Sequence, residues 1–249
     1  MNPLRSHFLL LYLTLGYVYG FAQQRTSLRQ VVPPKSPAQV RIDALSTEAE
    51  RLTNQQQNQQ ALELLRDGLQ LCRIHNEPLR AANLRYQLAV VYANQNQAEP
   101  GLNECRIGLA VLPHQEPGAD SVRFKLEYGL GLLHQNANRV DSAQAHFDVA
   151  ELLLKSNPQL EQLISYPVSN FFASLSVFAD QTENNPKVLL YAEKALQIAK
   201  RYRLSDMLPT AYNSLGSYHQ EAGDFRKAIE LYILALKHTN SLYERSVFS

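Results

Sequence analysis

Five times along the chain two small residues stand seven apart on what reads as one helix face: Ala61 and Gly68, Gly101 and Gly108, Ala143 and Ala150, Val188 and Ala195, Ala228 and Ala235. Only Val188 departs from alanine or glycine. The second member of each pair recurs at intervals of 40, 42, 45 and 40 residues. A period of that size predicts stacked helical hairpins, each buried against its neighbours, instead of one closed core. The small residues set how closely paired helices approach, and the stack as a whole presents a long concave surface.

The first 22 residues are set apart from that pattern. Arg5 and His7 precede an apolar run from Phe8 to Val18, and Gly20-Phe21-Ala22 puts small residues three and one before a cut ahead of Gln23. This is the pattern of a secretory signal peptide at 1–22. The run falls short of the ~20 residues that a spanning helix needs, and no later stretch of the sequence is long and apolar enough to span. Export to the periplasm or the extracellular space is therefore the expectation. Residues 23–36, with Pro33-Pro34, read as an extended leader, and Ser36-Pro37 as a cap and first-turn proline opening the first helix.

Loss of 1–22 removes Arg5 and no acid, leaving 23 basic and 23 acidic side chains. A chain of zero formal charge has no basic stripe for a phosphate backbone and no polybasic run for a membrane surface, so nucleic acid is not an expected partner. The two cysteines, Cys72 and Cys105, are too few for a disulfide-built fold. Their register places them on helices of adjacent units about two turns out of step, which argues against a bond between them.

The last unit is the clearest. Tyr212, Leu215, Gly216, Gly223, Asp224, Phe225, Ala228, Tyr232, Ala235 and Leu236 stand where the tetratricopeptide repeat (TPR) family places its large, small and turn residues, and the unit resembles that repeat. His219 takes the place of an aromatic, and Asn240 that of a frequent proline. Upstream, Leu130-Gly131 with His134 and Asn138 repeats Leu215-Gly216 with His219 and Gly223, 85 residues apart. The unit between is degenerate, with Leu175-Ser176, a turn at 183–186, and Val188 to Lys200. Leu88-Ala89 with Gly101 to Leu109 gives the second unit, and Ala38–Asn54 turning into Ala61–Leu71 a weak first one.

The resemblance implies an all-α, right-handed TPR superhelix of about five helical hairpins with a 40–45 residue period. Its units fall near 37–76, 77–116, 119–158, 163–204 and 205–242, with 243–249 opening an incomplete further helix. Apolar residues continuing from Ala195 through Tyr202 predict that the fourth second helix runs on toward Leu208. The polar tract Asn54 to Gln60 reads as a solvated inter-helix turn.

Chemistry of other kinds is poorly represented. The seven histidines form no His-x-x-x-His, there is no Cys-x-x-Cys, and no acidic cluster has ligand spacing, so neither a metal nor a cofactor is expected. Gly129-Leu-Gly131 lacks the third glycine of a dinucleotide loop and lies within a helix register. His134 and His219 share one register position, two units apart, and read as histidines replacing a half-buried aromatic.

The family's concave face is lined by fixed positions of each first helix, and the resemblance carries these over residue by residue. They are Asp43, Ser46, Glu50 and Asn54 in the first unit, and Asn83, Tyr86, Val90 and Asn94 in the second. In the third they are Lys125, Tyr128, Leu132, Gln135 and Asn136, and in the fourth Asn170, Asp180 and Gln181. The fifth contributes Thr210, Asn213, Ser217, Gln220 and Glu221. Amide side chains can hydrogen-bond an extended peptide backbone, and tyrosine adds apolar area with a polar tip. Lys125 is alone among these residues in carrying a positive charge.

Two functional readings follow, both non-enzymatic. In one, the chain resembles the extracytoplasmic TPR region of bacterial signalling proteins of the sensor histidine kinase or regulator type, binding a protein or peptide partner, and its last hairpin, lacking a polar cap, marks either a truncated frame or an end that a partner covers. In the other it is a complete secreted or periplasmic adaptor for protein assembly.

Overall fold

The computed structural model describes residues 34–113, 115–182 and 185–247, side chains at 185 and 240–247 excepted. The chain divides into two compact units, Met1–Pro37 and Ala38–Ser249. The signal peptide expected at 1–22 and most of the leader at 23–36 lie outside the described residues.

In chain order the helices are α1 (Pro37–Asn54), α2 (Asn58–His75), α3 (Pro78–Asn94), α4 (Ala98–Val111), α5 (Ala119–Asn136) and α6 (Val140–Ser156). They continue with α7 (Leu160–Leu163), α8 (Ser165–Gln181), α9 (Asn185–Arg201), α10 (Leu208–Glu221) and α11 (Phe225–Val247), a 3-10 turn at Ser205–Met207 preceding α10. No strand occurs among the described residues. Paired as α1/α2, α3/α4, α5/α6, α8/α9 and α10/α11, they make five hairpins.

One backbone device ends the first helix of four of them. Gln56, Asn96, Asn138 and Gly223 each stand five places before the first small residue of their unit, and each is left-handed, with φ of 60°, 57°, 57° and 77°. The next N–H then reaches back to close the helix: Gln57 to the Leu52 carbonyl, Gln97 to Tyr92, Arg139 to His134 and Asp224 to His219, at 2.8–2.9 Å. This is the Schellman closure, which tolerates glycine or asparagine best. Asp224 adds a cap, its Oδ1 accepting the Lys227 N–H at 3.1 Å.

The small pairs sit where three helices meet. A side chain added at Gly101 would meet Leu133 of the next hairpin at 2.9 Å and the Ala89 carbonyl of its own at 3.3 Å. One at Gly108 would meet Leu126 at 2.7 Å, and one at Gly68 would meet Leu84 at 2.9 Å. The glycines therefore admit a leucine from the following unit as well as their own partner helix. In the degenerate fourth hairpin hydroxyls do related work: Ser176 donates to the Val188 carbonyl at 2.9 Å and Ser169 to the Ala195 carbonyl at 3.2 Å, both serines buried. These carbonyls belong to the small pair itself.

One place after each small residue the register carries a second signal. Leu62 and Leu69 pack with α3, Leu102 and Leu109 with α5, and Leu189 and Leu196 with α10. The third hairpin has Gln144 and Glu151 there, and aromatic rings span to α8 instead. Phe147 meets Phe171 edge-on at 6.1 Å between centroids and Phe178 at 5.2 Å, with Phe171 also 5.3 Å from Phe124 and 5.5 Å from Tyr128. Leu160 of α7 joins this cluster. On α11 the equivalent Ile229 and Leu236 are exposed, with Phe225 and Ile233 beside them.

Two expectations about helix length are corrected. Helix α9 stops at Arg201 instead of running toward Leu208, because Arg203 turns left-handed and the Leu204 N–H closes on the Ala199 carbonyl at 2.8 Å. Tyr202 and Leu204 still reach the core, through the turn. At the other end α11 is unbroken to Val247, so 243–247 continue the fifth second helix and do not open a new first helix. Asn240 lacks the ring that would have stopped it.

Candidate functional site

The first helices α1, α3, α5 and α8 line one cavity of about 400 Å³. Each is apolar on the side that meets its hairpin partner, and the face turned the other way supplies the cavity wall. From α1 come Glu50 and Asn54, from α3 Asn83, Tyr86, Val90 and Asn94, from α5 Lys125, Tyr128, Leu132 and Asn136, and from α8 Asn170. All eleven are groove positions carried over from the sequence, and they bring Asn83, Tyr86, Asn94, Lys125, Tyr128, Asn136 and Asn170 together.

Their electrostatics follow from partial burial. Tyr128 Oη is 2.9 Å from Ser174 Oγ, tying α5 to α8. Burial pushes the phenols of Tyr86 and Tyr128 well above the ordinary tyrosine range, so both remain neutral donors. Lys125 Nζ donates to Asn83 Oδ1 at 3.1 Å, and burial lowers its pKa against the opposing field of Glu50. Asn94, Asn136 and Asn170 carry no side-chain hydrogen bond to a described residue and keep both amide functions open.

The remaining expected residues lie outside the cavity, and four of them bond one another. Gln135 donates to Gln181 Oε1 at 2.8 Å, joining α5 to α8. Glu221 shares a hydrogen bond with Asp180, which raises the pKa of Glu221. Tyr232 Oη donates to Gln220 Oε1 at 3.0 Å and lies 3.3 Å from Ser217 Oγ, while Asn213 is exposed. Of the first unit's residues, Ser46 donates to Gln87 at 3.0 Å, and Asp43 pairs with Arg80 at 2.8 Å.

Eight wall residues escaped the register: Ala89, Ala93, Gly129, Leu133, Thr53, Gln87, Tyr166 and Pro167. The last two lie in the opening turn of α8, which begins at Ser165, ahead of the first position carried over for that unit. A helical apolar pattern starting that early, at Tyr166 and Val168, was the available signal.

His134 and His219 have separate surroundings. His219 faces the Tyr218 ring edge-on at 5.5 Å. His134, only 6% exposed, stacks on His146 at 5.5 Å, and His146 Nδ1 lies 2.8 Å from Glu127 Oε2. Burial, and then the charges of His146, Arg139 and Arg106, hold His134 below its ordinary value of 6.5, with Glu99 opposing. A depressed histidine stabilises the fold in its neutral form. That contribution is whole above about pH 6.5 and is lost as pH falls through the folded value. His134→Phe, which cannot titrate, is expected to flatten the loss of melting temperature between pH 7.5 and pH 5. An unchanged slope would place the acid sensitivity elsewhere.

Cys72 and Cys105 are both buried and unbridged, burial pushing their thiols up to about 11 and about 12. Among the described residues no group of three or more His, Cys, Asp or Glu could hold a metal ion, and no helix is long and apolar enough to cross a membrane.

No family model matches the chain, and no curated protein does. Solved structures do match. BtubC (BKLC) from P. vanneervenii superposes with a TM-score of 0.59 at 15% identity, over 84% of this chain and 93% of that one. Aspartyl phosphate phosphatase F from Bacillus subtilis gives 0.62 at 12% identity, over 82% of this chain and 52% of that one. The apo form of RapI gives 0.53 at 11%, over 91% and 92%. The fold is a TPR-like superhelix. At these identities the likeness is one of fold, and this chain spans about half the length of the phosphatase. The TPR-like stack explains why the cavity is assembled from first helices alone: second helices occupy the layer behind them.

Proposed function

We propose that this chain is a non-enzymatic scaffold that binds an extended protein or peptide segment along the concave face, and that it serves as the extracytoplasmic sensor or interaction part of a bacterial signalling protein. One observation carries the binding reading. Four consecutive first helices place amide, phenol and ammonium donors on one cavity of about 400 Å³, and three of the asparagines have no side-chain hydrogen bond to a described residue. Such groups match the alternating donors and acceptors of an extended backbone. Because they stand on packed helices, ordering them on binding costs little. The extracytoplasmic placement is supported by the signal-peptide pattern at 1–22.

Panning the purified chain against randomised nonapeptides tests this. The pair Asn136→Ala and Asn170→Ala removes backbone-binding amides at an exposed and a half-buried site. Each lost hydrogen bond is worth about 0.5–1.5 kcal/mol, so the double variant should bind selected peptides roughly tenfold or more weakly with an unaltered melting temperature. Peptides that bind both proteins equally would refute the groove as the site.

A further inference from the structure

Helix α11 carries an apolar stripe on its open side. Phe225, Ile229, Ile233 and Leu236 are 64%, 59%, 58% and 62% exposed. Contiguous apolar patches mark interaction surfaces, whereas scattered single residues need no account. Two of the four belong to the repeat. Ile229 and Leu236 follow the small residues Ala228 and Ala235, and the leucines at these places in the first, second and fourth hairpins pack against the next first helix. Ile233 does not belong to it. Its register position, five after the first small residue, holds Arg66, Arg106, Asp148 and Glu193 in the other four hairpins, all exposed. The stack thus keeps a charged, solvated residue here even where the next helix covers the leucines on either side. One more stacked first helix would leave Ile233 in water, so the stripe is wider than continued stacking needs.

Ile233 supplies a second geometry. Ile229, Ile233 and Leu236 are spaced four and then three apart, which is the seam of a two-helix coiled coil. Glu230 and Lys237 each stand one place after a seam residue, seven apart on one edge and opposite in charge. In an antiparallel pair of identical helices that edge faces itself, so Glu230 of each copy meets Lys237 of the other. In a parallel pair it would face the edge holding Phe225 and Tyr232, and no ion pair would form. Within its own helix Glu230 lies 3.7 Å from Arg226 and from Lys227, exposed contacts that hold it weakly. We infer that the occupant of this face is a second copy of the chain, the two α11 helices packed antiparallel about a twofold axis with Ile233 of one against Leu236 of the other. Every contact then occurs twice, as an isologous interface requires. None of the helices that wall the cavity takes part.

Sedimentation equilibrium of the intact chain from about 1 to about 100 µM tests this, a range suited to an interface of modest size. The expected result is an equilibrium between monomer and dimer. Ile233→Glu, which installs the kind of residue the other hairpins carry at this place, should weaken the dimer at least about tenfold and leave the melting temperature of the monomer unaltered. Glu230→Lys and Lys237→Glu should each weaken it, and the two together should restore it. A dimer indifferent to Ile233→Glu, or one that the single charge reversals weaken and the double does not restore, overturns the antiparallel pair. A monomer at every concentration overturns it as well, and if a synthetic peptide of residues 208–221 then raises the melting temperature, the face belongs to a further stacked helix.

Discussion

Phe171→Ala is expected to cost the fold about 3–5 kcal/mol, the largest effect of any single substitution considered. Phe171 is fully buried and lies 5.2–6.1 Å from the rings of Phe124, Tyr128, Phe147 and Phe172, which come from α5, α6 and α8. At this junction the leucine pair of the other hairpins is replaced by Gln144 and Glu151, so aromatic rings take over most of the apolar packing between the third and fourth units. Removing the central ring opens a cavity that helices pinned on both sides cannot close. The melting temperature should fall by roughly 10 °C. Since a repeat stack need not melt as one unit, the loss should also appear as early amide exchange in α5, α6 and α8, ahead of α2 and α3. A uniform loss of protection, or a shift of only a few degrees, would mean that the rings are not what joins these hairpins.

Gly131→Leu is expected to be nearly as damaging, at about 3 kcal/mol. A Cβ at Gly131 would stand 2.3 Å from the Phe147 ring, which is itself 1% exposed and wedged against Phe178. The ring has nowhere to go. Gly216 is the matching position of the last hairpin, and a Cβ there would stand 2.6 Å from the Tyr232 ring. Tyr232 is only partly buried and can swing toward solvent, so Gly216→Leu should cost clearly less. Combining Gly131→Leu with Phe147→Ala should restore part of the stability, because the leucine fills the space the ring vacates. A double-mutant cycle by urea denaturation measures this coupling, and simple additivity would show that the two sites do not share one space.

Much of the stack was legible because its repeating constraint is steric. Small residues seven apart, Leu130-Gly131 and Leu215-Gly216, and the turn at Gly223 each report a backbone approach that only a few side chains permit. The left-handed turn was legible at Gly223 and Asn138 but hidden at Gln56, a residue with no special liking for that conformation. The fourth hairpin was blurred because Ser169 and Ser176 meet the second helix by hydrogen bonding where other units use glycine or alanine. The extra length of the 45-residue period was misplaced: it enters as α7 and its flanking turns, while α9 ends on schedule at Arg201. Periodicity registers that a helix is amphipathic and says little about where a left-handed residue ends it.

The groove was read less evenly. Positions carried over from the second and third units fall in the cavity because α3 and α5 stack in regular register. Those of the fifth unit, Asn213, Ser217, Gln220 and Glu221, lie beyond it, and Tyr166 was missed because α8 starts a turn early. A wall built by four helices depends on their relative tilt, which no single helix pattern encodes.

The most direct test of the concave face as the binding surface is photo-cross-linking with the tightest selected nonapeptide, carrying a benzophenone at successive positions, followed by mass-spectrometric mapping. Adducts should fall on the wall formed by α1, α3, α5 and α8, at residues such as Asn83, Tyr86, Tyr128 and Asn170. Adducts concentrated on exposed second-helix residues such as Ile74, Leu152 or Leu190 would contradict the account.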